Sequence, residues 1–247
     1  MDINLKLDNL EQYQLDGLWQ MENRYFAQFQ NISLPLGGFN KNDCDELYML
    51  LKNYLTSNQL QELKIADIGC WTGFSSLIFA LLVSKYNGQV FSVDWFQGSP
   101  KTNLDFAGQY FNIKKIFDDN IQQYDQKKYI KVIQSTSEEA SKKFEDSSLD
   151  VVFLDADHRY EYIKNDIWLW LPKLKSGGLL CGHDCEMIFT KGLDTLYEVY
   201  NNSDIAEVIH FGVCRAVTEL GGQKVREYNI HAPLEWPQSV IWYYIKP

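Results

Sequence analysis

Between residues 63 and 184, short apolar runs alternate with helix-length segments, and this rhythm constrains the fold more than any other feature of the chain. The five runs are "LKIADIG" (63–69), "QVFSVD" (89–94), "IKVIQS" (130–135), "LDVVFLDA" (149–156) and "GGLLCGHD" (177–184). They are apolar throughout rather than alternating, as strands covered on both faces are. Helical segments follow them at 77–83, around 103–117, at 137–144, and in a stretch bearing Ile163, Ile167, Trp170 and Leu171. Strands joined by helices of this length imply right-handed βαβ crossovers and a parallel sheet. The expected fold is α/β, a doubly wound, Rossmann-like parallel sheet.

The ends of the chain depart from the rhythm. Residues 1–40 are polar and aromatic without a clear period, and "PLGG" (35–38) breaks the chain after them. Asp43 with Glu46 resembles a capping box. It opens a helix whose Leu47, Leu50, Leu51, Tyr54 and Leu55 follow the i, i+3, i+4, i+7, i+8 pattern. The expected division is an N-terminal helical extension at 1–58 and a sheet domain at 59–247, with an insert at about 186–210 that holds one helix near 192–200. Val213, Ala216, Val217 and Leu220 sketch a further helix stopped by Gly221-Gly222. Two late strands are expected near 224–230 and at "SVIWYYI" (239–245), the last of them antiparallel. The insert and the first 40 residues are expected near the mouth of a substrate site, as a lid.

Bulk properties exclude several classes of partner. With a formal charge of -10 and a pI near 4.9, a nucleic-acid backbone is disfavoured. No apolar run approaches the ~20 residues that cross a bilayer, and the N-terminus lacks the basic-then-apolar layout of a secretory signal. The five cysteines form no CxxC pair, which suits a reduced, cytoplasmic protein. A small molecule, not nucleic acid or membrane, is the expected partner, and a homo-oligomer is compatible with these properties.

Open α/β sheets bind ligands beyond the carboxyl ends of their strands, so the strand ends are where chemistry is sought. The first ends in "ADIGCWTGFSS", with Gly69 and Gly73 flanked by Asp67 and Ser75. Glycine there admits a ligand to the backbone, and the following helix start offers N–H groups. A dinucleotide loop would read GxGxxG; Trp71 stands where its second glycine belongs, against NAD or FAD. The second strand ends at Asp94, suited to ribose hydroxyls, with Trp95 or Phe96 able to stack on an adenine. The third ends in "QSTSEE", whose hydroxyls reach toward an adenine edge. The fourth and fifth end in "DADH" and "GHD". Each has a plain structural reading as well: a tight turn, packed aromatics, a helix cap by Ser135 or Ser137, a surface histidine at the start of the next helix.

Taken together, these motifs resemble class I S-adenosylmethionine (SAM)-dependent methyltransferases over about residues 60–185. Within that class the likeness is to metal-dependent O-methyltransferases of the catechol and caffeoyl-CoA type and of the bacterial natural-product sugar type. The resemblance implies that Asp67, Gly69, Gly73 and Ser75 hold the methionine part of the cofactor, with Asp94 and Trp95 on the ribose and adenine side. It places Ser135 and Thr136 at the adenine, Asp155 beside the cofactor and as a metal ligand, and His158 as the catalytic base. His183 and Asp184 match the other two metal positions, for magnesium or manganese. There the chain departs: the plant-type enzymes read Asp-Asn and the sugar type Glu-Asp, whereas this chain reads His-Asp. Imidazole suits softer metals than magnesium. The implied activity is methyl transfer to a hydroxyl of a small molecule, a sugar or natural product. The rivals are a cephalosporin-hydroxylase-like enzyme on the same scaffold and a non-catalytic SAM-binding regulatory protein.

Overall fold

The five apolar runs become the five parallel strands of one sheet. In the computed structural model, which describes residues 7–30, 41–58, 60, 62–100, 103–189, 209–225 and 240–247, they are β1 (Lys64–Ile68), β2 (Gln89–Asp94), β3 (Ile130–Gln134), β4 (Leu149–Leu154) and β5 (Leu174–Gly182). A short β6 (Gln223–Lys224) and β7 (Trp242–Ile245) complete the order β3-β2-β1-β4-β5-β7-β6. As expected for the last strand, β7 runs antiparallel to β5, and it is also antiparallel to β6. Strand order reverses between β1 and β4, which pair in parallel from Ile65 and Val151 to Ile68 and Leu154. That crevice is where such sheets bind their ligands.

The helices are α1 (Asn9–Gln30), α2 (Lys41–Asn58), α3 (Phe74–Val83), α4 (Asn103–Tyr110), α5 (Ile113–Gln123), α6 (Ser137–Ser141), α7 (Tyr160–Trp170) and α8 (Phe211–Leu220). Alternate residues of a strand face opposite sides, and β4, buried at all six positions, shows the consequence. Val151 and Phe153 join one core with Leu15 of α1, Leu47 and Leu51 of α2, Leu77 of α3 and Phe117 of α5. Val152 and Leu154 join the other with Ile163 and Trp170 of α7 and Val213 and Val217 of α8. No helix among the described residues is long and apolar enough to cross a membrane.

Several elements differ from expectation in ways that local chemistry explains. The segment expected around 103–117 is two helices, because the Asn112 side chain accepts the Lys115 N–H at 3.0 Å and caps a new start. At α6 the cap is Thr136, not its serine neighbours. The helix at 43–58 begins earlier, at Lys41, so Asp43 is not its cap. The capping box lies instead at the head of α1. There the Glu11 N–H donates to Asp8 Oδ1 at 2.8 Å and the Asp8 N–H to Glu11 Oε2 at 3.0 Å. The helix expected near 192–200 and residues 226–230 of the late strand lie outside the described residues.

Glu11 also fastens α1 to the rest of the fold. Its carboxylate, 3% exposed, accepts from Lys52 Nζ at 2.6 Å, Tyr48 Oη at 3.0 Å and Lys85 Nζ at 3.1 Å. Burial would raise its pKa, but Lys52, the Asp8 N–H, Lys85 and Tyr48 outweigh burial and hold it at about 2. The unfolded chain has a higher value, so the stabilisation is fully present above pH 4.5 and is lost as pH falls toward about 2. Glu11→Gln should therefore cost about 3 kcal/mol at neutral pH, the scale for breaking a buried ion pair. In paired denaturant melts the gap between wild type and variant should close on acidification through that window. A gap independent of pH would sink this account.

Candidate active site

The loop after β1 is shaped by two left-handed glycines. Gly69 (φ 88°) and Gly73 (φ 93°) bracket a turn in which Trp71 is also left-handed, at φ 42°. A Cβ at Gly69 would lie 2.1 Å from the Asp155 carbonyl oxygen, so only glycine lets the loop pass over the end of β4. Gly73 begins α3 without a side-chain cap. Beneath the loop, Asp67 is fully buried and accepts from Ser75 Oγ at 2.8 Å and Ser76 Oγ at 2.5 Å. Burial pushes its pKa up to about 7. Asp67 and Ser75 thus brace the loop from below.

At the end of β2, Asp94 accepts the Trp71 N–H at 2.9 Å through Oδ2 and the Phe96 N–H at 2.6 Å through Oδ1. Burial raises its pKa while these backbone donors pull it down, and the net direction is upward. A carboxylate offers about four lone-pair sites, and the backbone N–H groups of Phe96, Trp71 and Trp95 address three of them. Phe96 is buried and packs edge-on against Phe117, with centroids 5.4 Å apart, which makes it a core residue; Trp95 is half-buried. Ser135 donates its N–H to the Asp94 carbonyl at 3.0 Å, and exposed Thr136 follows at the head of α6. The glycine loop, Asp94 and Ser135 therefore occupy adjacent strand ends.

Beyond β4 and β5, "DADH" and "GHD" meet. His158 Nε2 lies 3.0 Å from Asp184 Oδ2 and 3.4 Å from Asp155 Oδ1. His183 Nδ1 lies 3.1 Å from Asp184 Oδ1, and its Nε2 lies 3.1 Å from Asp43 Oδ2 on α2. Asp184 is held at φ 65°, a region that costs a non-glycine residue free energy and is found where function demands it. Asp155, His158, His183 and Asp184 thus lie together at these two strand ends.

The sequence reading missed three further members: His210, Glu186 and Asp43. His210, at the head of α8, places Nδ1 2.8 Å from Glu186 Oε1 and 3.5 Å from Asp184 Oδ1. Its ring meets that of His158 with centroids 4.7 Å apart. α8 reaches this close because a Cβ at Gly212 would sit 2.3 Å from the His158 carbonyl oxygen. Glu186, with no exposed surface, also accepts the His210 N–H at 2.9 Å. Three of the chain's four histidines thus surround one carboxylate.

The electrostatics follow from that crowding. Burial would raise the Asp184 pKa, but His183, His210 and His158 hold it well below the usual range. Burial would lower the pKa of His183, and Asp184 with Asp43 drives it well above the usual value. His210 is raised likewise by Asp184 and Glu186 against burial. Among the described residues, two groups have ligand atoms within 4.8 Å of one another: Asp155, His183 and Asp184, and His158, Asp184 and His210.

Known proteins resemble this arrangement. Residues 66–185 match the methyltransferase-domain family. An uncharacterized protein of Sinorhizobium fredii, y4gI, is 30% identical over 130 residues, 52% of this chain; the matched part spans only 14% of that relative's length. Among solved structures, a protein of Klebsiella pneumoniae assigned as an O-methyltransferase superposes with a TM-score of 0.59 at 14% identity, covering 99% of this chain and 93% of that one. One of Staphylococcus aureus assigned as a caffeoyl-CoA O-methyltransferase gives 0.55 at 16% identity, covering 97% and 100%. The S-adenosylhomocysteine-bound methyltransferase PaMTH1 of Podospora anserina gives 0.52 at 12% identity, covering 94% and 88%. At these identities the solved structures bear on the fold alone, while the domain match falls on the segment that contains the glycine loop, Asp94, Asp155, His158, His183 and Asp184. Residues 66–185 are thus similar to the methyltransferase-domain family, and the fold is the one shared by solved O-methyltransferases.

Proposed function

We propose that this chain transfers the methyl group of SAM to a hydroxyl of a small molecule, with His158 as the proton acceptor. The observation that carries the reading is the pairing of His158 with Asp184 and Asp155 beside the glycine loop, since Gly69 packs directly on the Asp155 carbonyl. Proton acceptor and cofactor loop then face the same crevice. The acidic surface, at a formal charge of -10, favours an uncharged substrate such as a sugar or sugar-bearing natural product over a polyanion.

The residues fit the cofactor. α3 starts without a side-chain cap, leaving its N-terminus to the negative end of a ligand. The remaining acceptor capacity of Asp94 suits a ribose hydroxyl, with Trp95, Ser135 and Thr136 on the adenine side. When bound, SAM supplies a methyl group on a positively charged sulfur that leaves as a neutral thioether. For its part the chain orients the acceptor hydroxyl, and His158, whose Nε2–H faces Asp184 and Asp155, takes the hydroxyl proton on Nδ1 as the oxygen bonds to the methyl carbon. Asp184 then stabilises the imidazolium so formed. The donor atoms of Asp155, His183 and Asp184 are close enough for a divalent ion, with His183 Nδ1 facing Asp184 and its Nε2 facing Asp43, each at 3.1 Å; no step is routed through a metal.

Two outcomes test the reading. SAM or S-adenosylhomocysteine should bind in calorimetry, and Asp94→Ala should weaken that binding by about 1–3 kcal/mol, the range for a charged hydrogen-bond partner. Heat with NAD and none with either sulfur ligand would overturn the cofactor assignment. With labelled SAM and a panel of hydroxylated small molecules, His158→Ala should slow methyl transfer by about 10²–10⁴-fold while SAM affinity holds. Undiminished turnover in that variant would remove His158 from the role.

A further inference from the structure

His183 occupies the position where the resemblance implies a metal ligand, yet its surroundings are those of a cation. The ring is 5% exposed, and each nitrogen faces a carboxylate oxygen at 3.1 Å: Nε2 that of Asp43, Nδ1 that of Asp184. A neutral imidazole has one N–H and one lone pair, and an ionised carboxylate only accepts. In the neutral ring, one lone pair would therefore point at a carboxylate lone pair in a buried site, an arrangement that costs free energy on both sides. The ring satisfies both neighbours only with a proton on each nitrogen. A doubly protonated imidazole has no lone pair to offer an ion.

Asp184 adds a second obstacle to an ion at this place. Its Oδ1 takes His183 and lies near His210, and its Oδ2 takes His158 at 3.0 Å. An ion seated on His183 and Asp184 would have to displace a proton and break the contact between them.

We propose that the imidazolium of His183, clamped between Asp43 and Asp184, stands in for the divalent ion of the metal-dependent enzymes this chain resembles, so that its methyl transfer needs no metal. His183 and Asp43 are positioning residues in this arrangement. The fixed positive charge keeps Asp184 ionised and aimed, and Asp184 in turn orients His158. The proposal rests on the methyltransferase reading, but its test does not need a substrate.

The probe is the metal itself. Wild-type protein, stripped with chelator and dialysed, should give no stoichiometric heat with Mg²⁺, Mn²⁺ or Zn²⁺ and no shift in melting temperature. Nitrogen-15 spectra of the histidine rings at pH 8 should show both His183 nitrogens protonated. His183→Glu places oxygen donors beside Asp184 and Asp155, so Mn²⁺ should raise the melting temperature of that variant by several degrees and leave wild type unmoved. One ion per wild-type chain, lost in Asp155→Ala, overturns the proposal in favour of Asp155, His183 and Asp184 as ligands. Binding lost instead in His210→Ala overturns it in favour of His158, Asp184 and His210. A neutral His183 ring, or a folded His183→Glu chain indifferent to Mn²⁺, also counts against it. Should His183→Glu fail to fold, the wild-type titration and ring spectra decide alone. Absence of SAM binding is a separate result that sinks the methyltransferase reading and leaves the ion measurement standing.

Discussion

The close passage of the β1 loop over the end of β4 is the contact on which the rest of the site depends. β1 and β4 pair in parallel, and strand order reverses between them. Their following loops therefore diverge from a shared crevice instead of crossing it. Gly69 lies over the Asp155 carbonyl with no room for a side chain. The Asp155 N–H donates to the Ile68 carbonyl at 2.9 Å and fixes the two loops in register. The loop that follows β4, including Asp155 and His158, takes its place relative to the glycine loop through that contact. The glycine's missing side chain is thus a statement about where the proposed proton acceptor stands, not only about a turn.

Charge organises the far side of the crevice. Asp184 gathers three imidazoles, and each of the other carboxylates in the cluster has its own histidine: Asp43 with His183, Glu186 with His210, Asp155 with His158. Buried charges without partners cost several kcal/mol each on the order-of-magnitude scale for desolvation. The near one-to-one pairing explains how so many ionisable groups coexist in so little space. It also leaves the histidines unequally enclosed: the His183 side chain is 4% exposed, whereas those of His210 and His158 keep 18% and 22%.

Features set by local pattern were legible in the sequence. The five strands announced themselves as unbroken apolar runs, and the glycine loop and strand-end acids sat at predictable offsets from them. The meeting of "DADH" with "GHD" followed from the adjacency of β4 and β5. Features set by long-range partners were not legible. Asp43 lies 140 residues from His183, and at its own position it mimicked a capping residue, so its chemistry was hidden by a plausible local reading. Glu186 and His210 are 24 residues apart, at either side of the interrupted region, and neither stands at a strand end. α1 was obscured for a related reason. Its buried Leu15 and Leu18 are mixed with exposed Leu10 and Tyr13, which blurs the helical period. The D-x-x-E signal at Asp8 and Glu11 was the clue that could have found it.

The missed residues connect into one path. Glu11 on α1 holds Lys52 and Tyr48, both on α2, and α2 also bears Asp43. Asp43 grips His183, His183 grips Asp184, and Asp184 orients His158. The N-terminal helices therefore do more than cover one face of the sheet. Because α2 is a rigid element, the depth at which it packs sets the position of the Asp43 carboxylate. A hydrogen bond is sensitive to displacements of a few tenths of an ångström. The extension that looked least informative in the sequence is, in the fold, the outermost support of the candidate site.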